Sequence, residues 1–151
     1  MLLENPSTYV AFEQTEMPEV EFIAEIARRT GCGLLFDVNN VFVSAINHAY
    51  DTEAYLNAVP MEHVEEIHLA GFAEASDDVG DRLLIDAHGS PVKAIVWALY
   101  ERTLARTGRV PTLIEWDDDV PSFEVLMSEA RKADRALARH FFEQPAPGKA
   151  A

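Results

Sequence analysis

Four short apolar runs, separated by helix-like segments, constrain this chain more than any other feature, and each leads to a side chain that can bind a metal or a proton. The runs are MLLE at 1–4, GLLFDVNN at 33–40 with its apolar part closed by Asp37, VEEIHLAGF at 64–72 and TLIEWD at 112–117. A continuous apolar run of this length reads as a buried strand of a parallel sheet rather than a half-solvated antiparallel one. The segments between them carry helix signals. In PEVEFIAEIARRTG, Pro18 suits the first turn, Glu19 and Glu21 the positive end, Arg28 and Arg29 the negative end, and Gly31 the stop. Val20, Ile23, Ala24 and Ala27 form its apolar face. SPVKAIVWALYERTLARTG reads as a helix with Ser90 as N-cap, Pro91 at the first position, Gly108 as the stop and a stripe of Val92, Ile95, Val96 and Leu99. VFVSAINHAY and TEAYLNAV read as short helical pieces, and SFEVLMSEARKADRALARHF as the last helix. ASDDVGDRLLIDAHG reads as a polar loop.

Strands alternating with helices mean an α/β fold of parallel β/α units, with the sheet covered on at least one face and expected on both. Two architectures compete: an open doubly wound sheet, and part of a (β/α)8 barrel. The turn after the first strand, NPSTY, is not glycine-rich, and no GxGxxG occurs, which weakens a nucleotide-binding reading of the open sheet.

A length of 151 residues with 48% hydrophobic side chains is enough for one core, expected over residues 1–142. The closing EQPAPGKAA, from residue 143, reads as a disordered tail. The formal net charge of −14 argues against nucleic acid and anionic membranes as partners, since phosphate binding needs Lys and Arg. It suits cations and basic or neutral peptides. Neither a membrane span nor a secretory signal is visible, and the single Cys32 rules out an internal disulfide; a cytoplasmic location is expected.

The chemistry lies at the strand ends. Glu4 closes the first run, Asp37 the second, His68 stands near the end of the third, and Glu115 near the end of the fourth. In parallel β/α folds the C-terminal strand ends converge on one face, where sites form. Carboxylates gathered there repel one another unless a cation holds them. A cluster of divalent metal ions does this, with carboxylates able to bridge ions and a histidine offering a neutral nitrogen. Asp86 and His88 in DAHG, with Asn40 three residues past Asp37, form a second set. Singly, each has an ordinary reading: a strand-end Asp caps a helix, a strand His is a satisfied core residue, DAHG is a turn, and Glu115 pairs with an Arg. Four strands out of four favour the metal reading for the set. Asn39 is assigned to loop hydrogen bonding, His63 and His140 to the surface, and Cys32 to packing at the wrong end of the sheet. His48 is a weaker candidate for the site mouth, and Asp117 stands close enough to Glu115 to orient a ligand.

ENPSTY, GLLFDVNNVFVSA, HLAGF, DAHG and IEWDDDVP, in this order, closely resemble the multinuclear non-haem iron-dependent oxidative enzymes. This is the family of the methanobactin biosynthesis oxidase, and the resemblance covers about residues 1 to 140. It implies a xylose-isomerase-like TIM barrel. It also implies two or three iron ions that oxidise cysteines of ribosomally made peptides, and a small partner protein that holds the peptide leader. Carried over by position, Glu4 and Glu115 resemble bridging carboxylates, Asp37 and His68 the ligands of one ion, and Asn40, Asp86 and His88 the set for a third ion. The arrangement is also similar to the trinuclear endonuclease barrels of the wider superfamily, where a His stands at the position of Asn40.

A whole barrel needs eight strands in roughly 250 residues. The resemblance begins at the fifth, so the expected fold is the C-terminal half, about four β/α units, of such a barrel. Two further histidines of the family's cluster would come from the other half. A half barrel has raw edges that call for a separate N-terminal half or self-association. The leading expectation is an iron-dependent peptide oxidase fold that is inactive alone. The alternatives are a zinc or manganese hydrolase or isomerase of the same superfamily, and a non-catalytic metal-binding fragment.

Overall fold

The computed structural model describes residues 1–143; the expected tail is corrected at Glu143, which ends the last helix, and its remainder lies outside the described residues. Four strands form one parallel sheet in the order β1 (Leu2–Glu4), β2 (Gly33–Asp37), β3 (Val64–Ala70) and β6 (Thr112–Glu115). Between them lie α1 (Glu19–Thr30), α2 (Val38–His48), α3 (Thr52–Ala58) and α4 (Ala94–Thr107), and α5 (Phe123–Glu143) closes the order. Each of the four apolar runs is a strand, and the parallel β/α arrangement is the one expected.

Alternation along each strand sorts the side chains. Leu34, Phe36, Ile67 and Leu69 lie on one face and are buried in the main core with Val96, Leu99 and Leu104 of α4. Ile23 and Ala27 of α1 and Ala133 and Ala136 of α5 join that core. Leu35, Glu66 and Leu113 share the other face with the strand-end residues. Leu35 and Glu66 are half-buried and Leu113 is 46% exposed. The expectation of cover on both faces is therefore corrected: among the described residues the helices cover one face. Four parallel strands with helices on a single side leave the other side's lower half open.

Helix ends follow the sequence signals, apart from α2, which starts at Val38 rather than Val41, and one larger exception. Gly31 caps α1 in the left-handed region at φ 70, its N–H donating to the Ala27 carbonyl at 2.8 Å. The exception is α4, which begins at Ala94 rather than just after Ser90, with Lys93 in the cap position. Ser90 is used elsewhere. Its hydroxyl reaches the Phe72 carbonyl at 3.5 Å, and its own carbonyl passes so close to Gly71 that a Cβ there would sit 2.1 Å away. The stripe also differs from the expected one: Ile95 is exposed, and Val96, Leu99, Tyr100, Thr103 and Leu104 face the core at helical spacing. Val92 is buried but precedes the helix.

The segment read as a polar loop contains an antiparallel hairpin, β4 (Ala73–Ser76) with β5 (Arg82–Ile85). Asp77 builds its turn, accepting the Val79 and Asp81 N–H groups at 3.0 and 2.8 Å, with Gly80 at φ 91. Leu84 buries fully against α2, and the Asn47 amide both accepts the Leu84 N–H (2.8 Å) and donates to its carbonyl (3.0 Å). The hairpin thus lies on α2 above the sheet, and its last strand runs into the Asp86–His88 segment. No described helix is long and apolar enough to cross a membrane.

Candidate metal centre

β1, β2, β3 and β6 deliver their last residues to one mouth. The register sets Asp37 level with His68, and Glu115 level with Ala70 two residues further on. This alignment depends on an irregularity. Leu34 pairs with Val64 but Leu35 pairs with Glu66, so Glu65 is an extra residue in β3. Continued from the first pair without the shift, Asp37 would face Ile67, whose side chain points into the helical core.

Asp37 has two jobs. One carboxylate oxygen caps α2 by accepting the Asn40 N–H at 2.7 Å. The other is buried and has no hydrogen-bond partner. Asn5, just past β1, fixes the backbone there: its side chain accepts the Asp37 N–H and donates to the Asp37 carbonyl, each at 2.9 Å. The run expected as strand through residue 40 therefore stops at Asp37, and Asn39 and Asn40 form the first turn of α2. Asn39 is not a loop residue. It is fully buried and donates to Asp86 at 2.6 Å. Asn40 donates to the Asn5 carbonyl at 3.1 Å and reaches Glu4 at 3.5 Å.

Ligand atoms of Glu4, Asp37 and His68 all lie within 4.8 Å of one another. The His68 ring sits between two carboxylates, with Nε2 3.2 Å from Glu66 and Nδ1 3.3 Å from Glu115. A second group brings His88, Glu115 and Asp117 within the same spacing. His88 Nε2 is 2.8 Å from Asp86, and Nδ1 is 3.3 Å from Asp117 and 3.7 Å from Glu115. His88 is held in the left-handed region at φ 49, a conformation a non-glycine residue adopts at a cost of about 1–3 kcal/mol. Its N–H donates to the Gly71 carbonyl, and its carbonyl accepts the Asp117 N–H, both at 3.0 Å. These bonds tie the end of β3 to the end of β6 through the histidine backbone.

The seven expected residues are thus placed around one mouth, with Asp86 and His88 touching, while Asn40 bonds on the Glu4 side and its neighbour Asn39 reaches Asp86. Asn5, Glu66 and the role of Asn39 were not read from the sequence, whereas Asp117, expected to orient a ligand, lies against His88. Glu66 had a signal, since it stands two residues before His68 and so shares its face.

The electrostatics are those of carboxylates buried close to one another. Burial pushes the Asp37 carboxyl up to about 8; the Asn40 N–H pulls it back, and Asp86, Glu4 and Glu115 add to the rise. Glu4 is also raised, first by desolvation, with Glu115 and Asp86 adding and the two histidines opposing. At His88 burial opposes the charged ring, yet Asp86, Asp117 and Glu115 outweigh it and raise the pKa. Among the described residues, seven buried side-chain atoms lack a hydrogen-bond partner, and four of them belong to Asp37, Asn39, Asn40 and His68. Orphaned buried polar atoms are rare and costly, so their gathering at one mouth fits a group that binds there. The donors are carboxylate and amide oxygens with imidazole nitrogens, a set suited to iron, manganese or zinc.

The remaining histidines and the thiol sit outside this mouth. His63 and His140 are half-buried rather than exposed, His140 pairing with Glu101 at 2.9 Å. His48 faces a groove beside the β1–α1 loop, and Cys32 packs at the opposite end of the sheet against the core.

A family model described as RiPP precursor modification enzyme MbnB/TglH/ChrH matches residues 1–138. A UPF0276 protein of Rhizobium meliloti (strain 1021) is 51% identical over 140 residues, which is 93% of this chain and 45% of the relative. One from Paraburkholderia phytofirmans is 53% identical over 138 residues, 91% and 45% respectively. One from Caulobacter sp. (strain K31) is 54% identical over 137 residues, 91% and 49%. The chain spans about half the length of the curated relatives it matches.

Proposed function

Because the chain belongs to the RiPP precursor modification enzymes of the MbnB/TglH/ChrH family, we propose that its strand-end residues hold two or three iron ions for oxidation of a cysteine in a ribosomally made peptide. The observation that carries this reading is the buried, unpartnered oxygen of Asp37 beside Glu4 and His68. Bound there, iron would supply the oxygen-dependent electron chemistry that protein side chains lack.

The chain's own residues would do the rest. Glu4 and Glu115 each offer two carboxylate oxygens and are the bridging candidates. Asp37 offers the oxygen not spent on α2. His68 would donate Nε2–H to Glu66, which leaves Nδ1 as a bare nitrogen on the side of Glu115. Asp86 and His88, with Asn40, are the candidates for a further ion; Asn39 steadies Asp86, and Asp117 orients His88. The sheet is taken as half of a xylose-isomerase-like barrel, with β1 and β6 as the edges where further strands would pair and further ligands enter. RiPP precursor modification supports a peptide substrate; a cysteine in that peptide and a small leader-binding partner protein belong to this proposal.

Anaerobic titration with Fe(II) tests this. The chain is expected to bind iron, and the Glu4→Gln, Glu115→Gln double variant to bind it at least about tenfold more weakly. Equal iron affinity in that variant would refute the ligand set. Tight zinc with no iron binding would point instead to a hydrolase.

A further inference from the structure

We propose that the loop from Tyr9 to Met17, with Phe22 and the end of α2, is a docking groove for a peptide segment that is both basic and apolar. The inference rests on the reading of the substrate as a peptide and adds its chemical class. The connection from Asn5 to Pro18 has no helix or strand of its own. Loops longer than about 12 residues of this kind are uncommon in compact domains and usually functional. It leaves the sheet at the C-terminal end of β1, on the face where β/α loops build sites.

Its first part is tied to the metal mouth. The Thr8 N–H donates to Ser44 at 2.9 Å, and the Tyr9 hydroxyl accepts the Asp86 N–H at 2.9 Å. Beyond Tyr9 the loop turns apolar side chains outward: Val10 is 69% exposed, Phe12 78%, and Met17 and Phe22 are exposed beside them. With His48 and Tyr50 at the end of α2 they line one groove. An exposed apolar cluster of this kind marks an interaction surface.

Charge selects the occupant. Residues 1–27 contain six glutamates and no Lys or Arg. Glu25 is held by Arg28 and Arg29, whereas Glu13, Glu16 and Glu21 make no ion pair among the described residues. A second copy of this chain would bring a further net charge of −14 to the same place and be repelled. A peptide carrying Lys or Arg between apolar residues satisfies both features, and the Tyr9–Asp86 bond sets the groove beside the mouth where its cysteine would lie.

The test uses the full chain under reducing conditions and fluorescence anisotropy of a short labelled peptide of Lys and Leu with one Cys. A counterpart with Glu for Lys serves as control. The basic peptide is expected to bind and the acidic one not. The Val10→Ser, Phe12→Ser double variant should bind at least about tenfold more weakly. The Glu13→Gln, Glu16→Gln, Glu21→Gln variant should bind several-fold more weakly, with a flatter salt dependence. Circular dichroism checks the fold, and Fe(II) titration of the same variants should be unchanged, so failure of the metal reading appears in that arm alone. Equal binding of the acidic peptide, or unaltered affinity in the loop variants, would overturn the proposal. A dimer that Phe12→Ser dissolves would do so too, by making a second copy the occupant.

Discussion

The two faces of the parallel sheet carry similar backbones and opposite fates. On the helical face Leu34, Phe36, Ile67 and Leu69 are buried among aliphatic neighbours. On the other face Leu113 lies open, while Asp37 and His68, higher on the same face, are buried. The helical face is buried by the hydrophobic effect and needs nothing further. At the upper end of the other face Asn5, Asn39 and Asn40 bond across the strand ends, and Asp37, Asn39, Asn40 and His68 each keep a buried atom without a hydrogen-bond partner. One face stabilises the fold; the other stores unfavourable electrostatics that a cation would relieve.

The largest test of that contrast is Phe36→Ala. It should cost about 3–5 kcal/mol in denaturant unfolding, as for a well-packed aromatic. A loss under 1 kcal/mol would mean that the helical face is not the core. Next comes Asp37, on the opposite face. Its folded pKa is raised to about 8 from 3.8, so the native state holds a proton that the unfolded chain has released. The associated stability is fully present below about 4 and is lost as pH rises towards 8, on the order of a few kcal/mol. In chelator-treated protein, Asp37→Asn keeps a capping side chain and should flatten this pH dependence; an unchanged slope would assign it to other groups. Asn39→Ala removes the bond to Asp86 together with the unpartnered amide oxygen, and should weaken metal binding about 10–100-fold, measured by competition with a chromophoric chelator. Smallest is Leu113→Ser, expected within about 0.5 kcal/mol of the parent in thermal unfolding. A cost above 1 kcal/mol would show that this face is covered in solution.

Much of this was legible because local rules carry it. The apolar runs, the Gly31 stop, the cap potential of Asp37 and the convergence of strand ends follow from periodicity and from the direction of parallel β/α units. What was missed depends on partners distant in sequence. Ser90 looks like an N-cap until its carbonyl is seen against Gly71. Asn39 looks like a loop amide until α2 and the hairpin set it beside Asp86, 47 positions away. The hairpin had a cue, since Asp-Asp-Val-Gly-Asp is a turn sequence, but β4 has no buried residue to announce a strand. Glu65 leaves no trace at all in the pattern, because an extra residue in a strand is defined only by its neighbour.

That extra residue means the centre has a phase as well as a composition, and that the phase is set above it. Removing Glu65 would restore one-to-one pairing from Leu34 and Val64 and still leave Asp37 level with His68. Removing a position further on, between Glu66 and His68, would leave every candidate ligand in the chain but bring Asp37 level with the residue after His68. Two sequences with identical motifs could then differ in whether their carboxylates and imidazole meet at all, and the spacing from Glu66 to His68 is where that difference would be written.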